Sequence, residues 1–108
     1  MDTSKYLPIG SVIKIEQFAK EVMIIVYMAY TEDNKAEIIS RDYVGIPVEE
    51  GYKEDNRILF NKEDITNVIF IGYKTYNTVN ILNNLDKSLD FFKRIKPDDD
   101  IIYKKEQQ

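Results

Sequence analysis

The chain has 108 residues, 44 % hydrophobic and 31 % charged, with neither Cys nor His. That size and balance suit one folded domain rather than a disordered segment. The missing residue types exclude disulfides, a thiolate nucleophile, Cys-based zinc and imidazole acid–base chemistry. With 19 acidic against 15 basic residues the net charge is −4, which leaves no surplus of Lys and Arg to neutralise nucleic-acid phosphates.

Residues 1–6 form a polar lead without the apolar run of a signal peptide. Leu7-Pro8-Ile9-Gly10 then joins a fixed φ to a permissive glycine, the chemistry of a turn or a strand entry. Residues 11–16 are β-branched and partly alternating, with Ile13 and Ile15 on one face, and predict the first strand. A polar link is expected over 17–21. Residues 22–31 are nearly all β-branched, Met or aromatic, and predict a strand buried on both faces. Their longest apolar run, 22–30, is far short of the about 20 residues that a helical membrane span needs, so no membrane partner is expected and cytoplasmic residence is the default.

A turn follows at 32–35, and residues 36–40 either begin another strand or bridge to the next. Residues 41–48 are strand-like up to Pro47, which cannot donate to a ladder and therefore belongs at a sheet edge or a strand end. Residues 49–56 form an acidic loop around Gly51, and 57–60 a short strand. Residues 61–65 predict one helical turn that Asn61 can cap, and 66–73 a last strand. Beyond it the period changes. Ile81 or Leu82, Leu85, Leu89, Phe92 and Ile95 recur at steps of three and four, one face of a helix over 77–96, capped by Asn77 or Thr78 and stopped by Pro97. The remainder is a charged tail in which Ile101-Ile102-Tyr103 can still dock.

The expected organisation is a single domain over 1–108, with a β body at 7–73, a helix at 77–96 and a tail at 97–108. The fold class is mainly β (α+β): a small five-stranded bent sheet or an SH3-like barrel, followed by one C-terminal amphipathic helix.

The acidic groups Glu49-Glu50, Glu54-Asp55, Glu63-Asp64 and 98–100 follow no calcium-loop pattern and read as solvated loops. The eight tyrosines suit half-buried sheet positions or a protein interface; base-stacking platforms need a basic surround that the neighbouring acids do not supply. Gly10, Gly45 and Gly72 are too scattered for a phosphate loop, and each marks a bulge or a close backbone approach. The helical stripe either covers the open face of the β body or forms a near-heptad seam of Leu82, Leu85, Leu89 and Phe92 for another helix, in a second copy or a partner.

Four segments, taken in order, resemble a known family. They are Leu7-Pro8-Ile9-Gly10-Ser11-Val12, Val22-Met23-Ile24-Ile25, Arg41-Asp42-Tyr43-Val44-Gly45-Ile46-Pro47 with Gly51, and Phe60-Asn61-x-Glu63-Asp64-Ile65 leading to Val68-Ile69-Phe70-x-Gly72-Tyr73. Together they resemble the small Gram-positive family designated domain of unknown function 4176, over about residues 6–73. The family's Tyr-Pro-Glu-Gly stretch is replaced here by Val48-Glu49-Glu50-Gly51, with the proline earlier at Pro47, and the helix beyond residue 76 lies outside the shared pattern.

The resemblance implies a non-enzymatic accessory protein encoded near type VII secretion genes and their LXG-type toxins, a chaperone or targeting factor for a secreted effector. It implies no catalytic residue, cofactor or metal. The expected partner is another protein, a secreted toxin or a secretion component, with a homodimer as an alternative and no nucleic acid. An immunity protein that neutralises a toxin, or a small-barrel nucleic-acid binder, are the rival readings. The expected contact residues are Asp42, Tyr43 and Val44 on an exposed strand edge, and Leu82, Leu85, Leu89 and Phe92 on the helix.

Overall fold

Alternation in the first strand and the β-branched run behind it make a hairpin. In the computed structural model, which describes residues 5–32, 38–94 and 102–103, strand β1 (Val12–Ile15) turns directly into the long β2 (Phe18–Glu32), with Ile15 opposite Phe18. The polar link expected at 17–21 is therefore mostly strand. Ala19, Lys20 and Glu21 are exposed there, so their polarity marks a solvated strand end and not a connection.

β3 (Ile38–Pro47) returns along β2 and absorbs residues 38–40, whose strand character was open. β4 (Ile58–Phe60), a 3₁₀ turn (Lys62–Asp64), β5 (Ile65–Phe70), helix α1 (Tyr76–Arg94) and β6 (Ile102–Tyr103) follow. The strands form one antiparallel sheet in the order β5-β1-β2-β3-β4, lengthened beyond β4 by the two residues of β6. The order is linear, with β5 at one edge and β6 at the other. The fold is thus mainly β with one C-terminal helix, and the open sheet, rather than a closed barrel, is the architecture formed. Ile102 and Tyr103 do dock, on Leu59 and Ile58 of β4.

Register breaks in three pairings curve the sheet. On β2 the ladder to β3 shifts between Ile24 and Val26, and Met28 has φ +49, an uncommon conformation for a side chain of that bulk. Ile25 accordingly joins the small cluster of Ala29, Val44 and Leu59 on one face, whereas Tyr27 and Met28 both pack against the main core on the other. That core gathers Ile13, Ile15, Val22, Ile24, Tyr43, Ile58 and Phe60 with Tyr6, Leu7 and Leu82.

Gly45 sits opposite Ile24 and Ile58 in the middle of the sheet. A Cβ there would stand 2.3 Å from Val22 Cγ1 and 3.0 Å from Phe60 Cε1, so the glycine is the floor on which two large core side chains rest. Pro47 lies at the end of β3 and not at an edge; the next amide, Val48 N–H, bonds the Glu21 carbonyl at 3.0 Å.

α1 begins one residue ahead of its expected start. Thr75 and Thr78 cap it reciprocally, each backbone N–H donating to the other's hydroxyl at 3.0 Å; Asn77 has no part in this cap. The expected helix residues 95 and 96, Pro97 and most of the tail lie outside the described residues.

Candidate functional site

The interior of the body is organised by charge. Asp42, on β3, has no exposure, yet β3 runs between β2 and β4. Its carboxylate accepts the Tyr6 hydroxyl at 3.2 Å on one oxygen and the Lys62 backbone N–H at 2.9 Å on the other. Asp42 N–H donates to Asn61 Oδ1 at 3.1 Å, and Asn61 N–H to Asp64 Oδ2 at 2.9 Å. The 3₁₀ turn is thus bolted to the central sheet, because Asn61, its N-cap residue, also holds the β3 amide of Asp42.

Lys62 continues the chain of contacts to the helix. It is 3 % exposed, its Nζ lies 3.3 Å from Asp86 Oδ1 and 4.0 Å from the centroid of the Tyr6 ring. A nearly buried ammonium is tolerated only with such partners. Asp86 also accepts the Tyr6 N–H at 3.0 Å, so one carboxylate on α1 ties the helix to both the N-terminal segment and the turn.

Tyrosine hydroxyls hold the N-terminal segment in place. Leu7 N–H donates to Tyr43 Oη at 2.8 Å and Ile9 N–H to Tyr27 Oη at 2.9 Å. Pro8 to Ser11 then form a turn closed by Ser11 N–H on the Pro8 carbonyl at 3.1 Å, with Gly10 at φ +93, a conformation that favours glycine. The Tyr6 ring meets those of Tyr27 and Tyr43 edge-on, at centroid distances of 6.0 and 5.4 Å.

Burial pushes the Tyr6 hydroxyl well above the ordinary tyrosine range, and the Asp42 charge adds to the shift. Burial raises Tyr43 likewise, opposed by the bond from Leu7 and reinforced by Asp42. Both ionise near pH 10.0 when unfolded and higher when folded. Their contribution to stability is therefore complete below that pH and is lost as pH rises through it toward the folded values. Each tyrosine lowers stability by about 1.4 kcal/mol per pH unit in that window. Urea midpoints should be flat across neutral pH and fall above about pH 10, with Tyr43→Phe reducing the slope; an alkaline slope unchanged in Tyr43→Phe contradicts the assignment.

This geometry relocates the expected contact residues. Asp42 and Tyr43 are fully buried and Val44 is 8 % exposed, on a strand paired on both sides. The expectation of an exposed edge at 42–47 is corrected: these residues build the interior. Leu82 belongs to the main core and Leu85 packs against it, so this part of the stripe covers the body rather than offering a seam. Leu89 and Phe92 lie on α1, and their side chains are outside the described residues.

The edge that composition hid is β5. It pairs with β1 on one side, and no strand adds to its other side among the described residues. Its residues, Ile-Thr-Asn-Val-Ile-Phe, include no charge. Ile65 and Val68 turn toward the core, while Ile69 and Phe70 are 45 % and 60 % exposed. Tyr73 and Tyr76, just beyond, are also exposed. At this end Gly72 N–H donates to Ser11 Oγ at 2.9 Å, which ties the exit from β5 to the turn before β1.

Of the acidic residues, Glu50 and Asp64 do local structural work. Glu50 pairs with Lys20, which lowers its pKa, and with Asn56 orders the loop around Gly51. No three acidic side chains converge as a metal cluster among the described residues, and none of the described helices is long and apolar enough to cross a membrane.

The sequence matches the model of the family described as domain of unknown function (DUF4176) over residues 6–81. The chain belongs to that family. The match spans β1 to β5 and the first residues of α1, so the family's domain includes the helix start, which the motif pattern alone leaves outside. No curated protein and no solved structure matches the chain.

Proposed function

We propose that this family member is a non-enzymatic, protein-binding accessory factor of the cytoplasm, a chaperone or targeting factor for a secreted LXG-type toxin, and that its β5 edge receives the partner. One observation carries the protein-binding reading: an uncharged edge strand with Ile69 and Phe70 exposed. Proteins normally blunt such edges with charge, proline or a cover. An extended segment that adds here gains main-chain hydrogen bonds and shields the apolar side chains. The composition supports the same reading, since the chain lacks the Cys and His that most often carry bond chemistry near neutral pH. The toxin assignment rests on what the family resemblance implies about type VII secretion loci.

Co-expression with an LXG-type toxin tests the proposal. A complex is expected, and Ile69→Lys with Phe70→Lys should abolish it while leaving the melting temperature close to wild type, because both side chains face solvent. A complex that survives the double substitution removes the edge from the account. A targeting factor changes toxin export without protecting the producing cell; protection without an effect on export assigns the immunity role instead.

A further inference from the structure

A cleft of ≈ 220 Å³ lies between the N-terminal segment, the exit from β5 and the first turns of α1. Leu7, Ile71, Val79 and Leu82 supply apolar walls, and Val79 is 46 % exposed. Lys5 and Lys74 also line it; both are exposed, and neither forms an ion pair or side-chain hydrogen bond among the described residues. Asp86 borders the cleft too, and its charge is offset by the Lys62 ammonium, which with the Tyr6 N–H meets its Oδ1. In a chain of net charge −4, two cations with no acidic partner among the described residues, beside an apolar depression, form a local field of the opposite sign. Such a field selects anionic ligands and speeds their approach.

From this juxtaposition we infer that the cleft takes an acidic segment of the protein partner, one apolar side chain entering between Leu7 and Val79 and its flanking carboxylates meeting Lys5 and Lys74. The inference rests on the protein-binding reading above and deepens it by giving the chemistry of the bound segment. The same cleft repels a basic segment.

The probe is a fluorescent peptide with one Phe flanked by Asp residues, beside the same peptide with Lys in place of Asp, each titrated into the full chain and followed by anisotropy. The Asp peptide should bind, the Lys peptide should not, and added salt should weaken the complex. Lys5→Glu with Lys74→Glu should weaken binding by roughly tenfold or more. Val79→Ser, which keeps the cations, should weaken it while leaving the salt dependence in place. No binding of the Asp peptide, equal binding of both peptides, or indifference to the charge reversal overturns the inference. So does a concentration-dependent dimer in sedimentation that the charge reversal dissolves, since the occupant is then a second copy. Ile69→Lys with Phe70→Lys should leave peptide binding intact. A toxin complex without peptide binding therefore removes the cleft alone, and peptide binding without a toxin complex removes the proposed function alone.

Discussion

Asp42→Ala should cost about 3–5 kcal/mol of folding stability, a large share of what a domain of this size possesses. The substitution strands the Tyr6 hydroxyl and the Lys62 N–H, both bonded to this carboxylate in the interior. Buried donors left without acceptors carry the full desolvation penalty, which exceeds the net worth of the bonds themselves. Asp42→Asn separates geometry from charge. The amide oxygen can still serve Lys62 N–H, and its NH₂ can donate to a reoriented Tyr6 hydroxyl, so a loss of only about 1–2 kcal/mol is expected. Urea denaturation read by tyrosine fluorescence gives both values. A wild-type midpoint for Asp42→Ala would mean that the hub is incidental to the fold.

Gly72→Ala should cost about 3 kcal/mol, at the upper end for added bulk in a packed site. A Cβ at this position would lie 2.3 Å from the Ile9 carbonyl oxygen and 2.8 Å from Ser11 N. Those atoms are main chain, in a turn already committed to Gly10 at φ +93 and to the Ser11 hydroxyl bond. Trimming a neighbouring side chain cannot relieve the clash. Gly45→Ala provides the contrast, because its nearest obstacle is a methyl group of Val22, so Val22→Ala should recover part of the loss in the double variant. A double-variant cycle with coupling at Gly45–Val22 and none at Gly72–Ile9 confirms the distinction. Tolerance of Gly72→Ala would show that the β5 exit is not held against the first turn.

The elements whose signal is local were legible in the sequence. The alternation of Ile13 and Ile15, the β-branched run of β2, the acidic first turn behind Asn61 and the three-and-four spacing of α1 each appear within a window of a few residues. Sheet order does not. Arg41 and Asp42 give the third strand the polarity of an edge, yet it runs through the middle of the sheet. The Asp42 carboxylate is satisfied by groups distant in sequence, the Tyr6 hydroxyl and the Lys62 N–H, and the Lys62 ammonium in turn by Asp86 on the helix. No local pattern announces such partners. The same blindness moved the contact surface. An uncharged strand such as β5 reads as a buried one until the order shows that only one side is paired. Leu82 and Leu85 were legible as a stripe, but which surface the stripe covers depends on Tyr6 and Leu7, more than 70 residues upstream.

Backbone amide exchange across residues 65–70, in the free chain and in its complex with the proposed protein partner, addresses the strand-addition claim without any substitution. Strand addition predicts fast exchange at the unpaired β5 amides of the free chain and strong protection of those same amides in the complex. A complex in which β5 exchanges as in the free chain, with new protection confined to α1 or elsewhere, would contradict it.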